Sequence, residues 1–372
     1  MSYFRKRGEK WYYTIEVERE DGTRKRVERP GGRTKPEAQQ AYREAMRGLS
    51  RFGEYFEPKE VTVEQFFDEW FHDYVEVNLK QNTIDNYGGI IRNHIKPALG
   101  SMKLYKVKSL TLQRFINEKK ESYSEGTLHS IISVVKKAFA DAVHPYDYLD
   151  TNPAEYIKVP KYDVPKTKAI PFTDEQIQTI FDAFPLGHNF YMPIRLSYYT
   201  GMRLGECLAL DKSRVLLNDR IVLVKNTLYD KAGRKTARVS ETPKTDSSDR
   251  ELPFVDELQK VFRSQYAWQA ANALRFGRYY QKNNFVCTRE DGSQIISDDM
   301  RYFNMWCKKT FGGASFHSLR HTHATRLLES GLDLDYVSKR LGHSTIATTS
   351  NTYSHITEKR NEQAIDIMNK AL

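Results

Sequence analysis

The feature that most constrains the fold is a change of hydrophobic period within the first 75 residues. Trp11, Tyr13, Ile15 and Val17 alternate with Tyr12, Thr14, Glu16 and Glu18, the period of two that a half-buried strand requires. Phe66, Phe67, Trp70, Phe71, Tyr74 and Val75 recur instead at helical spacing. A single sheet or a single bundle cannot satisfy both patterns. A chain of 372 residues with such a switch therefore divides into modules.

Residues 1–58 are predicted to form a small β-β-β-α module. Asp21-Gly22 is a turn signal leading into Thr23–Arg29, and Gly31-Gly32 breaks the chain. Thr34 with Glu37 is a capping box for a helix to about Arg51. Through Lys59 the module carries 15 Lys/Arg against 10 Asp/Glu, which is half of the chain's formal charge of +10. Arg24, Lys25 and Arg26 lie on or beside one strand and are candidate contacts to DNA; a solvated, mixed-charge surface is the alternative.

Residues 60–157 read as a helical bundle. Thr62 with Gln65 caps its first helix, and the aromatic stripe that follows is expected to be core rather than a stacking surface. A second helix is expected from about Asn82-Thr83 to before Pro97 and Gly100, with further helices over Ser109–Glu121 and Gly126–Val143. Residues 158–169, with two prolines and four lysines, read as an extended linker. Its Lys161, Lys166 and Lys168 are candidate phosphate contacts. Residues 170–372 form the third module. It opens on the capping box Thr173 with Gln176, has strands near Ile221–Leu228 and Arg250–Phe254, and is helical elsewhere.

The net charge and a pI of about 9.2 favour a polyanionic partner, because each phosphate neutralised releases condensed counterions. The cysteines, Cys207, Cys287 and Cys307, fit neither a disulfide framework nor a metal knuckle and suit a reducing compartment. The start of the chain lacks an apolar signal core, and no apolar run approaches the ~18–20 residues that span a bilayer. A soluble, cytosolic protein that meets its partner inside a cell is expected, with no membrane association.

Four segments of the third module stand out. Thr200-Gly201-Met202-Arg203-Leu204-Gly205-Glu206 alone is weak, since a helix start with Arg203 paired to Glu206 would explain it. Pro243-Lys244-Thr245 before Arg250-Glu251-Leu252-Pro253 alone is a turn lysine between strands. The others are His317-Ser318-Leu319-Arg320-His321-Thr322-His323, and Leu341-Gly342-His343 followed ten residues later by Tyr353. In this order and spacing they resemble the catalytic domain of the tyrosine recombinases, the phage and transposon integrases. The resemblance covers essentially the whole chain. Ile95-Lys96-Pro97-Ala98-Leu99-Gly100 and Asn152-Pro153 look like the family's helical core-binding domain, and the β-β-β-α start looks like an arm-binding domain. The implied fold is multidomain α+β: an arm-binding module, a core-binding bundle, and a mainly α catalytic domain with a small antiparallel sheet.

The family's six catalytic positions fall on Arg203, Lys244, His317, Arg320, His343 and Tyr353. Lys225, Lys231 and Lys235 lie near Lys244, which is favoured by its Thr-Pro-Lys-Thr context. The chemistry explains the residue types. A phosphodiester repels a nucleophile, and its pentacovalent transition state gathers charge that two forked guanidiniums can grip without metal or ATP. A tyrosine, with an ordinary pKa near 10, needs a base, for which His317 is the candidate. Lys244 is the candidate acid for the leaving 5′ oxygen, and His343 would donate to the phosphate and orient the tyrosine. The resemblance implies a 3′-phosphotyrosine intermediate, no cofactor, and exchange through a four-way junction at double-stranded attachment sites.

It also implies a homotetramer on DNA held by the C-terminal tail, where Ala364, Ile365, Met368 and Leu372 share a helical stripe, and DNA-bending accessory proteins; packing of the tail on its own domain is the alternative. Glu206 is expected to be a structural partner, and His321 and His323 packing or supporting groups. The competing readings are a type IB topoisomerase, a DNA-binding regulator without chemistry, and a metal nuclease built on the histidines.

Overall fold

The computed structural model describes residues 3–18, 24–52, 60–162, 171–225, 227–229, 238–240, 249–343 and 345–353. Lys166, Lys168, Lys244 and the tail helix expected after Tyr353 lie outside the described residues. The chain divides into two compact units, residues 1–165 and 166–372.

In the first unit, β1 (Tyr3–Arg7), β2 (Lys10–Glu18) and β3 (Arg24–Gly32) form an antiparallel sheet in that order. Helix α1 (Lys35–Phe52) follows, its first turn held by Thr34 Oγ1, which accepts from the Glu37 N–H at 3.4 Å. The alternation in β2 turns Tyr13 and Ile15 inward, where they are buried together with Ala38 of α1. Gly31 is required by this packing, since a Cβ there would lie 2.5 Å from the Ala38 Cα. On the opposite face Arg26 pairs with Glu16 across the strands, Nε to Oε1 at 2.7 Å. That pair is exposed, so water screens it and the Arg26 charge is only partly offset.

The helical part of this unit begins with α2 (Val63–Trp70), capped reciprocally by Thr62 and Gln65. It continues through a π-helical turn, Phe71–Val75, into α3 (Glu76–Asn78). Phe66, Phe67, Trp70 and Val75 are fully buried, so the aromatic stripe is core. Next comes α4 (Gln81–Ile90), and here the structure departs from the sequence expectation. The helical path does not stop before Pro97: a second π-helical turn, Ile91–Ile95, leads directly into α5 (Lys96–Leu99). The widened turn has already displaced the regular ladder, so the missing N–H of Pro97 breaks no run of α-helical bonds. Two longer helices, α6 (Ser109–Lys120) and α7 (Glu125–Val143), complete the bundle.

The second unit carries α8 (Asp174–Ala183), capped by Thr173 and Gln176, then α9 (Tyr191–Thr200) and α10 (Leu204–Leu208). Its strands follow: β4 (Val215–Leu216), β5 (Ile221–Val224), β6 (Thr227–Tyr229), β7 (Arg238–Ser240) and β8 (Arg250–Pro253). They pair antiparallel as β4-β5-β8 and, separately, β6-β7. Helices α11 (Asp256–Phe276), α12 (Met300–Phe311), α13 (Phe316–Glu329), α14 (Leu334–Leu341) and α15 (Ile346–Thr352) close the unit. Ile194, Leu196, Val222, Leu252, Phe262 and Leu319 are fully buried in one core, which fixes α9 and α13 relative to the sheet.

Within the bundle, Trp70 Nε1 donates to Asp141 Oδ2 at 2.8 Å, and Lys137 Nζ donates to Oδ1 at 2.9 Å. Asp141→Ala leaves a buried indole N–H without this acceptor. The bundle is expected to lose about 1–3 kcal/mol in denaturant unfolding. Glu64→Ala, at an exposed pair with Lys96, should shift it by no more than about 0.5 kcal/mol. Equal effects from the two substitutions would contradict the account.

Candidate active site

The site is built on two glycine turns. Helix α9 ends at Gly201 and α14 at Gly342, both in the left-handed region, with φ of 74° and 68°. A Cβ on Gly201 would meet His323 Cδ2 and Leu341 Cδ2, each at 2.8 Å, so both conformation and space require glycine. These turns aim main-chain carbonyls at two arginines. Arg320, on α13, donates through Nη1 to Gly201 O and through Nη2 to Leu341 O, both at 2.7 Å. Arg203, just before α10, donates through Nη2 to Gly342 O at 2.8 Å. The two guanidiniums thus grip consecutive carbonyls, immediately before His343.

Like charges this close repel, and one carboxylate offsets them. Glu206 accepts from Arg203 Nη1 at 2.9 Å and from the Arg203 main-chain N–H at 2.8 Å. Arg250 on β8 reaches the same carboxylate with Nη1 at 3.2 Å and Nη2 at 2.8 Å, while its Nε donates to Arg340 O at 2.7 Å. Burial pushes the Glu206 carboxyl up, but the Arg250 hydrogen bonds and charge, with Arg203, more than offset it and hold the group below its ordinary value. Burial and the Arg203 charge bring Arg320 down to about 9, so its guanidinium is still charged at neutral pH. The Arg203 side chain is 39% exposed, whereas Arg320 as a whole is 2% exposed. Arg203 is therefore the more open of the two toward an arriving anion.

Three histidines share the site. His343 Nδ1 lies 2.7 Å from Thr349 Oγ1. Burial, then Arg320 and Arg203, bring His343 down to about 4. His317 and His321 sit four residues apart on α13, so they share a face, and their rings meet edge to face at 4.7 Å. His317 is lowered by burial, Arg320 and Arg203. Tyr353 follows α15 and is 3% exposed, packed with Ala324, Leu328, Val337 and Leu341. Its hydroxyl lies 3.0 Å from His321 Nδ1, not against His317. Burial raises the phenol to about 12 against the opposing charge of Arg320.

The structure thus brings together Arg203, His317, Arg320, His343 and Tyr353. Lys161 is exposed and belongs to the first unit, as do Arg24, Lys25 and Arg26. Glu206 does pair with Arg203. His323 is a supporting group: Nε2 accepts from Arg340 Nε at 3.0 Å, so Nδ1 carries the proton and donates to Tyr198 O at 2.9 Å. Among the described residues no group of three or more His, Cys, Asp or Glu is placed to hold a metal ion. Sequence reasoning missed Arg250 as a second partner of Glu206. His321, expected to be a packing or supporting group, lies against the Tyr353 hydroxyl, on the face it shares with His317 one turn earlier.

A small antiparallel sheet among helices, with these side chains in this chain order, defines a class: the DNA strand-transfer enzymes of the tyrosine recombinase type. The phage integrase family model matches residues 172–360, its N-terminal SAM-like domain residues 62–120, and an arm DNA-binding domain residues 1–46. The chain belongs to the phage integrase family, the site-specific tyrosine recombinases of phages and mobile elements.

It is similar to a protein named tyrosine recombinase XerC-like from Caldanaerobacter subterraneus, at 29% identity over 98% of this chain and 97% of the relative. It is also similar to the integrase of Staphylococcus phage L54a, at 26% over 82% and 92%. The Tn1549 transposon integrase bound to transposon right end DNA shares the fold with a TM-score of 0.65 and 21% identity, over 82% of this chain and 99% of that one. A lambda integrase tetramer on a Holliday junction matches with a TM-score of 0.57 and 18% identity, over 92% of each chain. No described helix is long and apolar enough to cross a membrane.

The buried histidines predict an acid-side loss of stability. Those at about 4, His321 and His343, and His323 at about 3 stay neutral in the fold while an unfolded chain protonates them near 6.5. Their folded values are depressed, so the unfolded state binds more protons as pH falls below about 6.5, and stability falls with it. The melting temperature of the second unit is expected to drop between about pH 6.5 and pH 5, above the usual carboxylate range. A flat profile over that window would count against the neutral histidine cluster.

Proposed function

We propose that the protein is an integrase whose nucleophile is Tyr353. The phenolic oxygen attacks a backbone phosphorus, the phosphorus–5′ oxygen bond breaks, and a 3′-phosphotyrosine and a free 5′-hydroxyl result. Attack by another strand's 5′-hydroxyl reverses the step, so the bond energy is kept and ATP is not needed. Arg203 and Arg320 hold the non-bridging oxygens, His343 donates to the phosphate, His317 takes the phenolic proton, and Lys244 protonates the leaving oxygen. The observation that carries this reading is the anchoring of Arg203 and Arg320 on the Gly342 and Leu341 carbonyls, beside His343 and on the same helices that pack Tyr353. Donors fixed in advance require no reorganisation when charge develops on the phosphate.

The remaining assignments follow the same reading. Residues 1–58 bind arm-type DNA, with Arg24, Lys25 and Arg26 as contacts. Residues 60–157 bind the core site, and 158–169 form a linker whose Lys161, Lys166 and Lys168 follow the backbone. Residues 170–372 are the catalytic domain, with a tail that joins subunits into a tetramer on DNA. The protein acts in the bacterial cytoplasm on the attachment sites of a phage or mobile element, with DNA-bending proteins as accessory partners.

The test uses a nicked suicide duplex carrying the attachment sequence that flanks the gene. The full-length chain should give a covalent adduct on a denaturing gel, in EDTA as well as without it. Tyr353→Phe should bind with unchanged affinity and give none. Arg203→Lys keeps the charge but loses the forked grip, and adduct formation should slow on the order of 10²–10³-fold. An adduct from Tyr353→Phe would end the nucleophile assignment, and cleavage abolished by EDTA would favour a metal nuclease.

A further inference from the structure

Helix α13 supplies three successive contributions to the site, and only two belong to the family's six positions. His317 and Arg320 do; His321 does not. Yet His321 makes the hydrogen bond to the Tyr353 hydroxyl, Nδ1 to oxygen at 3.0 Å, with the two rings tilted at 58° and 5.9 Å apart. The Tyr353 ring is held by apolar contacts with Ala324, Leu328, Val337 and Leu341, which fix where the ring sits but not where its O–H points. A buried hydroxyl requires an acceptor, and lacking one costs about as much as a lost hydrogen bond.

We propose that His321 is a positioning residue for the nucleophile: its Nδ1 accepts the Tyr353 O–H and ties the phenolic oxygen to the helix that carries Arg320. The inference rests on the reading of Tyr353 as nucleophile. It adds a residue that the six-position pattern leaves out.

The geometry gives the contact its consequence. Arg320 lies one residue before His321 on α13, and its guanidinium is fixed by Gly201 O and Leu341 O. A hydroxyl tethered to residue 321 is therefore held at a set distance from the guanidinium expected to hold the phosphate. Only the unprotonated Nδ1 can accept. Burial, with His317 and Arg320 nearby, brings His321 down to about 4, so the neutral ring prevails at neutral pH, and the proposed contact takes its tautomer with the proton on Nε2 and Nδ1 free to accept. The His317 ring, edge-on to His321 at 4.7 Å, limits the rotation of the imidazole. No proton needs to leave through His321. It holds the O–H in the resting site, and the O–H turns from Nδ1 toward His317 when a phosphate is seated and that base takes the proton.

The experiment compares His321→Ala, His321→Asn and His321→Gln in the full-length chain on the same suicide duplex, with Tyr353→Phe as reference. An asparagine places its side-chain oxygen where Nδ1 stood, whereas glutamine places it nearer the Nε2 position. His321→Ala is expected to keep wild-type DNA affinity and to slow single-turnover adduct formation on the order of ten- to a hundred-fold, the scale of a small misplacement of reacting groups. His321→Asn should recover the rate to within about three-fold of wild type, while His321→Gln should not. Wild-type rate in a folded His321→Ala protein overturns the proposal. So does an asparagine variant no faster than alanine at equal DNA affinity, which would assign His321 to packing alone. An adduct formed by Tyr353→Phe would instead overturn the nucleophile reading beneath it.

Discussion

Two guanidiniums on neighbouring carbonyls of one turn would repel, and the second unit is arranged around the carboxylate that prevents it. Glu206 is buried, accepts from Arg203 through both its main chain and its side chain, and takes a forked contact from Arg250. It lies 7% exposed against an Arg250 side chain that is 7% exposed. Such a pair costs desolvation on both sides and is recovered only when the remaining donors are satisfied. Here they are: Arg250 Nε reaches Arg340 O, and Arg340 in turn reaches Pro253 O and His323. Strand β8, helix α10 and the end of α14 are joined through this one carboxylate. Arg203 keeps its orientation because Glu206 cannot move.

The same chain of contacts explains why two glycines matter more than their size suggests. Gly201 and Gly342 end their helices in a conformation that leaves unpaired carbonyls facing inward. In a buried turn such carbonyls require donors, and Arg320 and Arg203 supply them. Helix termination and placement of the two guanidiniums are thus one event, since the arginines satisfy the turns and the turns orient the arginines. Arg203 keeps the more open face of the two, which suits it to meet a ligand from solvent.

Much of this was legible in the sequence, for definable reasons. The strand period in β2, the capping boxes at Thr62 and Thr173, and the aromatic core of α2 are local patterns, and local patterns survive in a one-dimensional reading. The path through Pro97 was not legible, because the π-helical turn Ile91–Ile95 that leads into it has no compositional mark and proline in a helical stretch normally signals an end. In the site, Arg203, His317, Arg320, His343 and Tyr353 stood out by order and spacing. Arg250 did not: its partner Glu206 lies 44 residues earlier, and no local pattern pairs the two. His321 was visible only as a helical neighbour of His317. Its tie to Tyr353 depends on how the chain after α15 brings that tyrosine against α13, which no spacing encodes.

Charge and burial set opposite conditions on the two halves of the site. The arginines are cationic, Arg320 buried and Arg203 half-exposed, and burial first, then their charge, lowers the imidazoles of His317, His321 and His343. Tyr353 is buried and neutral, its pKa raised to about 12. As described, the site has an excess of positive charge, imidazoles that resist protonation and a phenol that resists ionisation. An anion seated against Arg203 and Arg320 changes every one of these terms. It offsets the guanidinium charge and raises the affinity of the adjacent imidazoles for protons. Under the proposed mechanism, a base near Tyr353 thereby becomes stronger at the moment a phosphate is present to be attacked. The same anion disfavours a nearby phenolate, so deprotonation and attack must be concerted with the movement of charge onto the non-bridging oxygens. Rigid arginines are what this coupling needs, because donors that had to turn toward the phosphate would lose the gain to reorganisation.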